Sequence, residues 1–284
     1  MIKGRKIPRP KDTTLKALIS IISCRFLRPA ALQSTISIFR NFFLLQYRAA
    51  ALPRRYRVTG VDHPLDLKIP FKPQKVKIYA DFLWVFARAQ GFLIQNFKKQ
   101  AGIQIKNFIE SLGAVYSKAA EVYKKNFSTT KRPKYLARFE FIVIHTFDPH
   151  LMCIPSLHVM VVILAYTRLQ KILRDLGAET AFSSVIKTFR QRALEITEAV
   201  LYIKQHSINC ISAAMYAMTC FDDLFPQDKA ETFAQDIFIK ANDISHEDGE
   251  AIRNHIIDLY RRFLSEGRKT SSWEKPLLDF LGHD

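Results

Sequence analysis

Three separated segments of this 284-residue chain hold the residue types that phosphoryl chemistry needs. Lys125 is followed, after six residues, by Arg132-Pro133; Pro155-Ser156-Leu157-His158 comes next, and Lys204-Gln205-His206 lies beyond it. A phosphoryl group spreads charge over its nonbridging oxygens, so a site for it needs fixed cations and hydrogen-bond donors. Lys125 and Arg132 supply cations, and Arg gives bidentate contacts that Lys cannot. Ser156 stands where a helix is expected to begin after Pro155. Its hydroxyl and the free N–H groups of that first turn favour an anion. His158 then falls one turn inside. Two imidazoles can divide the roles of nucleophile and proton donor, because a resting pKa of about 6.5 makes both the neutral and the protonated form accessible.

In this order and at these gaps the segments resemble the tripartite signature of the type 2 phosphatidic acid phosphatase and vanadium haloperoxidase superfamily. That signature runs Lys-x6-Arg-Pro, Pro-Ser-Gly-His, then Ser-Arg-x5-His-x3-Asp. Leu157 in place of Gly resembles the inositol-phosphotransferase-like branch, as does the stretch from Ile69-Pro70-Phe71-Lys72-Pro73 through Val76 to Tyr79. The resemblance covers about residues 62 to 220. It implies an all-α, multi-helix bundle of the acid phosphatase and haloperoxidase type. It also implies His206 as the nucleophile that forms a phosphohistidine, and His158 as the general acid. Lys125, Arg132 and Ser156 would bind the substrate phosphate, with no cofactor and no metal. The substrate would be a phosphate ester, a lipid phosphate among the candidates, which points to membrane association and an anionic membrane surface as partner.

The chain departs from the signature in the third segment. The motif Arg falls at Val200 and its preceding Ser at Ala199, so Lys204, four residues on, is expected to supply the missing cation from the same helical face. The Asp that orients the nucleophile falls at Cys210. Asp148 and Glu198 are the candidate substitutes. The rival reading is a catalytically impaired phosphatase-fold protein that acts as a binding or structural module. A haloperoxidase is disfavoured because Val200 replaces its Arg.

The elements that must position these residues read as helices. Apolar periodicity predicts helical stretches near 15–27, 31–51, 76–99, 103–125, 154–173, 228–240 and 247–265, with two more between Phe182 and Cys220. His206 and Cys210 are expected to share a helical face. A Pro-rich passage from His63 to Pro73, a polar break from Asn126 to Lys134 and a turn at Asp148-Pro149 interrupt the pattern, and Tyr135 to Phe147 is a further apolar stretch. The organisation expected is a basic N-terminal helical segment (1–60), a phosphatase-like core (61–224) and a polar C-terminal helical tail (225–284).

Composition narrows the classes. With 48% hydrophobic residues and only 9 glycines the chain folds, and a net charge of +17 suits anionic substrates or lipid headgroups. The basic residues form no dense block and no finger or other nucleic-acid signature, so no nucleic-acid partner is expected. Cys24, Cys153, Cys210 and Cys220 lie far apart and read as free thiols. Ser23-Cys24 after the basic start is loosely like a lipoprotein cleavage site, but the preceding apolar run is too short, and a surface helix is the better reading. Leu151–Thr167, Tyr79–Phe97 and Ala193–Thr219 each carry polar or charged residues that suit a core helix better than a membrane span, which leaves a soluble cytoplasmic protein as the alternative location. His145, Asp148 and His150 lack metal-site spacing and read as structural.

Overall fold

The computed structural model describes residues 10–282. The first nine residues of the basic leader and the last two residues of the tail lie outside them. The architecture is an all-α multi-helix bundle with one small β ladder. Its axis is α8 (Leu157–Asp175), which is buried on nearly every side from Leu157 to Leu173, as a central helix that is apolar all round must be. Around it pack α5 (Phe82–Phe97), α6 (Gly102–Tyr123), α9 (Ser183–Tyr202) and α10 (Ile208–Phe221). Helix α12 (His246–Gly267) covers α10 together with α11 (Gln227–Gln235), and α13 (Lys275–Phe280) rests on α12. At the other end α1 (Pro10–Ser23) lies on α5. Helix α2 (Arg28–Ile38) lies on α6 and runs through one π-helical turn (Phe39–Leu44) into α3 (Leu45–Ala51). One apolar core contains Ile21, Val162, Ile256 and Leu278 alike, so the leader, the motif-bearing region and the tail share it.

Three departures from the predicted elements shape the site. The helix expected over 76–99 is two, α4 (Val76–Tyr79) and α5, broken at Ala80-Asp81. There the Asp81 carboxylate takes a bidentate contact from Arg88 (2.8 and 2.6 Å) and another from Arg192 (2.8 Å). The polar break after Asn126 contains β2 (Phe127–Thr129), which runs parallel to β1 (Val58–Gly60) with Thr59 opposite Ser128. Ser128 also bridges to Met152, and its Oγ accepts from the Cys153 and Ile154 N–H groups at 3.1 and 2.8 Å. The ladder thereby fixes the backbone that leads into Pro155 and α8.

The third departure corrects an expectation. His206 does not share a helix with Cys210. Helix α9 ends at Tyr202 in a Schellman motif, in which the Lys204 N–H donates to the Leu201 carbonyl and the Gln205 N–H to Val200, both at 3.0 Å. Lys204 sits in the left-handed region at φ +57°, where glycine is usual. The chain turns, and α10 starts at Ile208 with Ser207 as N-cap. The Asp66 carboxylate accepts from the Ile208 N–H at 3.0 Å and holds this corner to the Pro-rich passage. His206 therefore lies in a tight inter-helical turn. Tyr135–Phe147 is helical only as α7 (Phe139–Phe147).

Candidate active site

His158 and His206, forty-eight positions apart, meet with Nδ1 of the first 3.2 Å from Nε2 of the second. The two rings are 5.3 Å apart between centroids. His158 comes from the first turn of α8 and His206 from the turn before α10. Tyr79 and Phe82, at the break between α4 and α5, place their rings 4.4 and 4.3 Å from that of His158. Both imidazoles line a cavity of about 270 Å³ whose other walls are largely apolar, with Phe42, Tyr79, Phe82, Tyr116 and Phe147 among them.

Arg132 reaches this pair indirectly. Its guanidinium donates to Gln205 Oε1 at 3.1 Å, directly beside His206, and to the Asp148 carbonyl at 2.8 Å. Ser156 is fully buried and is the N-cap of α8, yet its Oγ has no partner and makes no capping bond. The first turn of α8 thus keeps N–H groups that no side chain caps. Gln205 Nε2 and His206 Nδ1 are also buried without partners. Unpaired buried donors next to a cavity are what an anionic ligand would satisfy.

The other two expected phosphate contacts face elsewhere. Lys125 pairs with Glu274 at 2.7 Å on an exposed surface, and its side chain is 46% accessible. Lys204 turns its ammonium onto the carbonyls of Asp66 and Ile69, both at 2.5 Å. The helical face that was to carry Lys204 toward the site ends two residues earlier, so it serves as an anchor for the Pro-rich passage. Of the expected site residues only His158 and His206 line the cavity; Arg132, which also pairs with the Asp148 carboxylate at 3.7 Å, and Ser156 stand behind its wall, and Lys125 and Lys204 do not line it.

Asp148, one of the two candidate orienting acids, belongs here, and so does His150, which reads from the sequence as structural. Asp148 and His150 line the cavity, and His150, at φ +62°, donates its N–H to Asp148 Oδ1 at 2.8 Å. The His150 ring bonds Thr130 Oγ1 at 2.8 Å and lies 6.5 Å from that of His206. Gln46, from α3, donates to the same Asp148 oxygen at 3.1 Å. Glu198 is spent on the Phe238 N–H at 2.8 Å, which leaves Asp148, of the two candidate acids, the one that shares the cavity with the imidazoles. No local spacing rule marks these positions, because their meeting depends on the β ladder and on α3.

The electrostatics favour the neutral form of both imidazoles. Burial pushes His158 down to about 4, with the Asp148 charge opposing and His150 adding to the fall. Burial, then the neighbouring His158 and His150, hold His206 well below its ordinary value. Burial alone would raise Asp148, but hydrogen bonding and charge from His150, together with Arg132, hold its carboxyl well below the usual range. Among the described residues no cluster of His, Cys, Asp and Glu has metal-site geometry. Compared with known protein families, with curated proteins and with solved structures, the chain matches none. The family resemblance therefore rests on the three segments themselves.

Proposed function

We propose that the chain is a phosphoric monoester hydrolase or phosphotransferase that works through a phosphohistidine at His206. The observation that carries this is the contact between His158 and His206 at the end of a mostly apolar cavity, beside the uncapped start of α8. Neutral His206 attacks phosphorus through Nε2, the bond from phosphorus to the ester oxygen breaks, and His158 delivers a proton to that oxygen. Water or a second alcohol then attacks the phosphohistidine, returning its proton to His158 and freeing His206. The low resting value of His158 requires the substrate to help: a bound phosphate dianion in place of the direct imidazole contact raises the His158 pKa and loads the proton it must give. Arg132, Ser156 and the first-turn N–H groups of α8 supply the electrostatic support. A phosphate ester with an apolar alcohol, such as a lipid phosphate, suits the aromatic walls.

The test is acid-labile labelling of the protein by a radiolabelled phosphate ester across a panel that includes lipid phosphates. Label and turnover should vanish in His206→Ala, whereas His158→Ala should keep some label and lose most turnover. A parent protein that takes no label from any substrate would refute it. A second reading, a binding module without turnover, is favoured by Cys210 in place of an orienting carboxylate, by the occupied Lys125 and Lys204, and by the anionic Asp148 in the cavity wall. Loss of an orienting Asp costs a comparable Ser-His-Asp system about 10⁴ in turnover. Under this second reading vanadate binds, no label forms, and Cys210→Asp gains no activity.

A further inference from the structure

The continuous helix from Arg28 to Ala51 is built inside out. Ile38, Phe42 and Leu45 pack against the core, but where the helix meets α6 its inner side carries small and polar residues. Ser34 Oγ donates to the Ile109 carbonyl at 2.7 Å and Ser37 Oγ to the Gly113 carbonyl at 2.9 Å, while Asn41 donates to Ser117 at 3.0 Å. The backbones approach so closely that a Cβ on Gly113 would stand 2.9 Å from Ser34 Cα. Its outer side carries Leu32, Ile36, Phe39, Phe43 and Tyr47, all exposed, with Phe39 59% accessible. These positions recur every three to four residues and form one stripe. A helix in water places its large apolar residues inward. Small residues at the helix contact with large ones facing outward is the arrangement found where the surroundings are lipid.

The stripe is continuous with the mouth of the cavity. Tyr47 donates its hydroxyl to the Phe147 carbonyl at 2.7 Å, which docks α7 beside it. Phe43, Leu83, Val143 and Phe147 both line the cavity and remain exposed. Trp84 lies in a groove with Thr35, Ile38 and Leu83 and is exposed, as is Phe139 at the start of α7. Residues 1–60 carry thirteen basic side chains and one acidic, so they account for +12 of the net +17. Lys16, Arg25, Arg28, Arg40 and Arg48 are exposed, and among the described side chains no carboxylate lies within 4.0 Å of them. Among the described residues no helix is long and apolar enough to cross a membrane. A second copy of the chain fits poorly as the cover, because a two-fold contact would set this positive face against itself.

We propose that the outer face of α2 and α3, with α7 and the exposed side chains of α5, lies in the interface of an anionic lipid leaflet, with the mouth of the cavity turned toward the lipid. Apolar side chains enter the boundary between headgroups and acyl chains, and the unpaired arginines meet the headgroup phosphates. The inference stands on this face alone and does not depend on chemistry at His206.

The test is flotation of the full chain with phosphatidylcholine vesicles and with vesicles containing about 30% phosphatidylglycerol, an anionic lipid that attracts basic surfaces. Binding to the anionic vesicles, weakened by salt, is expected. Phe39→Ser with Phe147→Ser should lower partitioning at least about ten-fold by removing two inserted rings, and Arg40→Glu with Arg48→Glu should do so at low salt. All four positions are exposed, so folding is checked by circular dichroism rather than presumed lost. In a Trp273→Phe background, Trp84 should be quenched by brominated lipid. Failure of the folded parent to float with anionic vesicles overturns the proposal, as does binding that neither pair of substitutions changes. A homodimer in solution that the Phe39 and Phe147 changes dissociate also overturns it and assigns the face to a second copy.

Discussion

Replacing Lys204 by glycine separates an anchoring lysine from a phosphate-binding one. In the folded chain this residue occupies the left-handed region at φ +57° and its ammonium holds two carbonyls of the Pro-rich passage. Glycine would relieve about 1 kcal/mol of backbone strain, but most of that returns as extra freedom of the unfolded chain. The two charge-assisted hydrogen bonds are worth about 1.5 kcal/mol each at the lower end suited to a half-buried group. The net expectation is a loss of roughly 2–3 kcal/mol, which lowers the urea midpoint by about 1 M. Vanadate affinity of the folded variant, measured by calorimetry, should stay within about two-fold of the parent, since a charged contact to the ligand would cost ten-fold or more. A variant as stable as the parent would show that the carbonyl contacts contribute little. A ten-fold loss of vanadate affinity in a folded variant would return Lys204 to the site and refute the anchoring role.

Arg132→Ala should weaken vanadate binding about ten-fold or more while Arg138→Ala leaves it unchanged, as calorimetry would read, because only Arg132 joins the imidazole pair through Gln205. His158 has a folded value near 4, below its unfolded one, so the unfolded chain binds more protons between pH 4 and about 6.5. Stability is then fully present above about pH 6.5 and falls by about 3 kcal/mol as the pH drops toward 4; thermal unfolding of His158→Gln should show a shallower fall over that window. Gly113→Ala should destabilise by about 1–3 kcal/mol in a denaturant titration, because the new methyl meets the Ser34 backbone rather than a side chain able to move.

The helices were legible because a buried stripe leaves a period in the sequence: α6, α8 and α12 fall within a few residues of where periodicity puts them. Breaks made by tertiary capping were not. Tyr202 to Ser207 has the composition of a helix, and only the Asp66 carboxylate and the carbonyls that hold Lys204, supplied from about 135 residues away, make a corner there. The β ladder was hidden for the same reason, since three-residue strands carry no period of their own. The approach of His158 to His206 was anticipated from the motif order. Asp148 was one of two candidate acids that the sequence could not choose between, and the place of His150 was missed, because both depend on Gln46 and Thr130 reaching them across the fold. The exposed stripe of α2 and α3 read as an apolar helix, and periodicity cannot tell which side of it faces the core.

The ladder that positions Pro155 has one more attachment, to Leu281 and Gly282 after α13. Arg57 donates to the Gly282 carbonyl at 2.5 Å, Thr59 to Leu281 at 3.0 Å, and Asn126 to Leu281 at 3.1 Å. The first strand of the ladder is thus tied to residues more than 220 positions later in the sequence, and the residue before the second to one 155 later. A chain emerging N-terminus first can form α5, α6 and α8 from neighbouring contacts, but this clasp must wait until Leu281 and Gly282 have emerged. During synthesis the cavity therefore stays unlatched while its walls already exist, and the exposed apolar face of α2 and α3 is complete well before the site it surrounds. Attachment of that face to a surface can precede the maturation of the pocket.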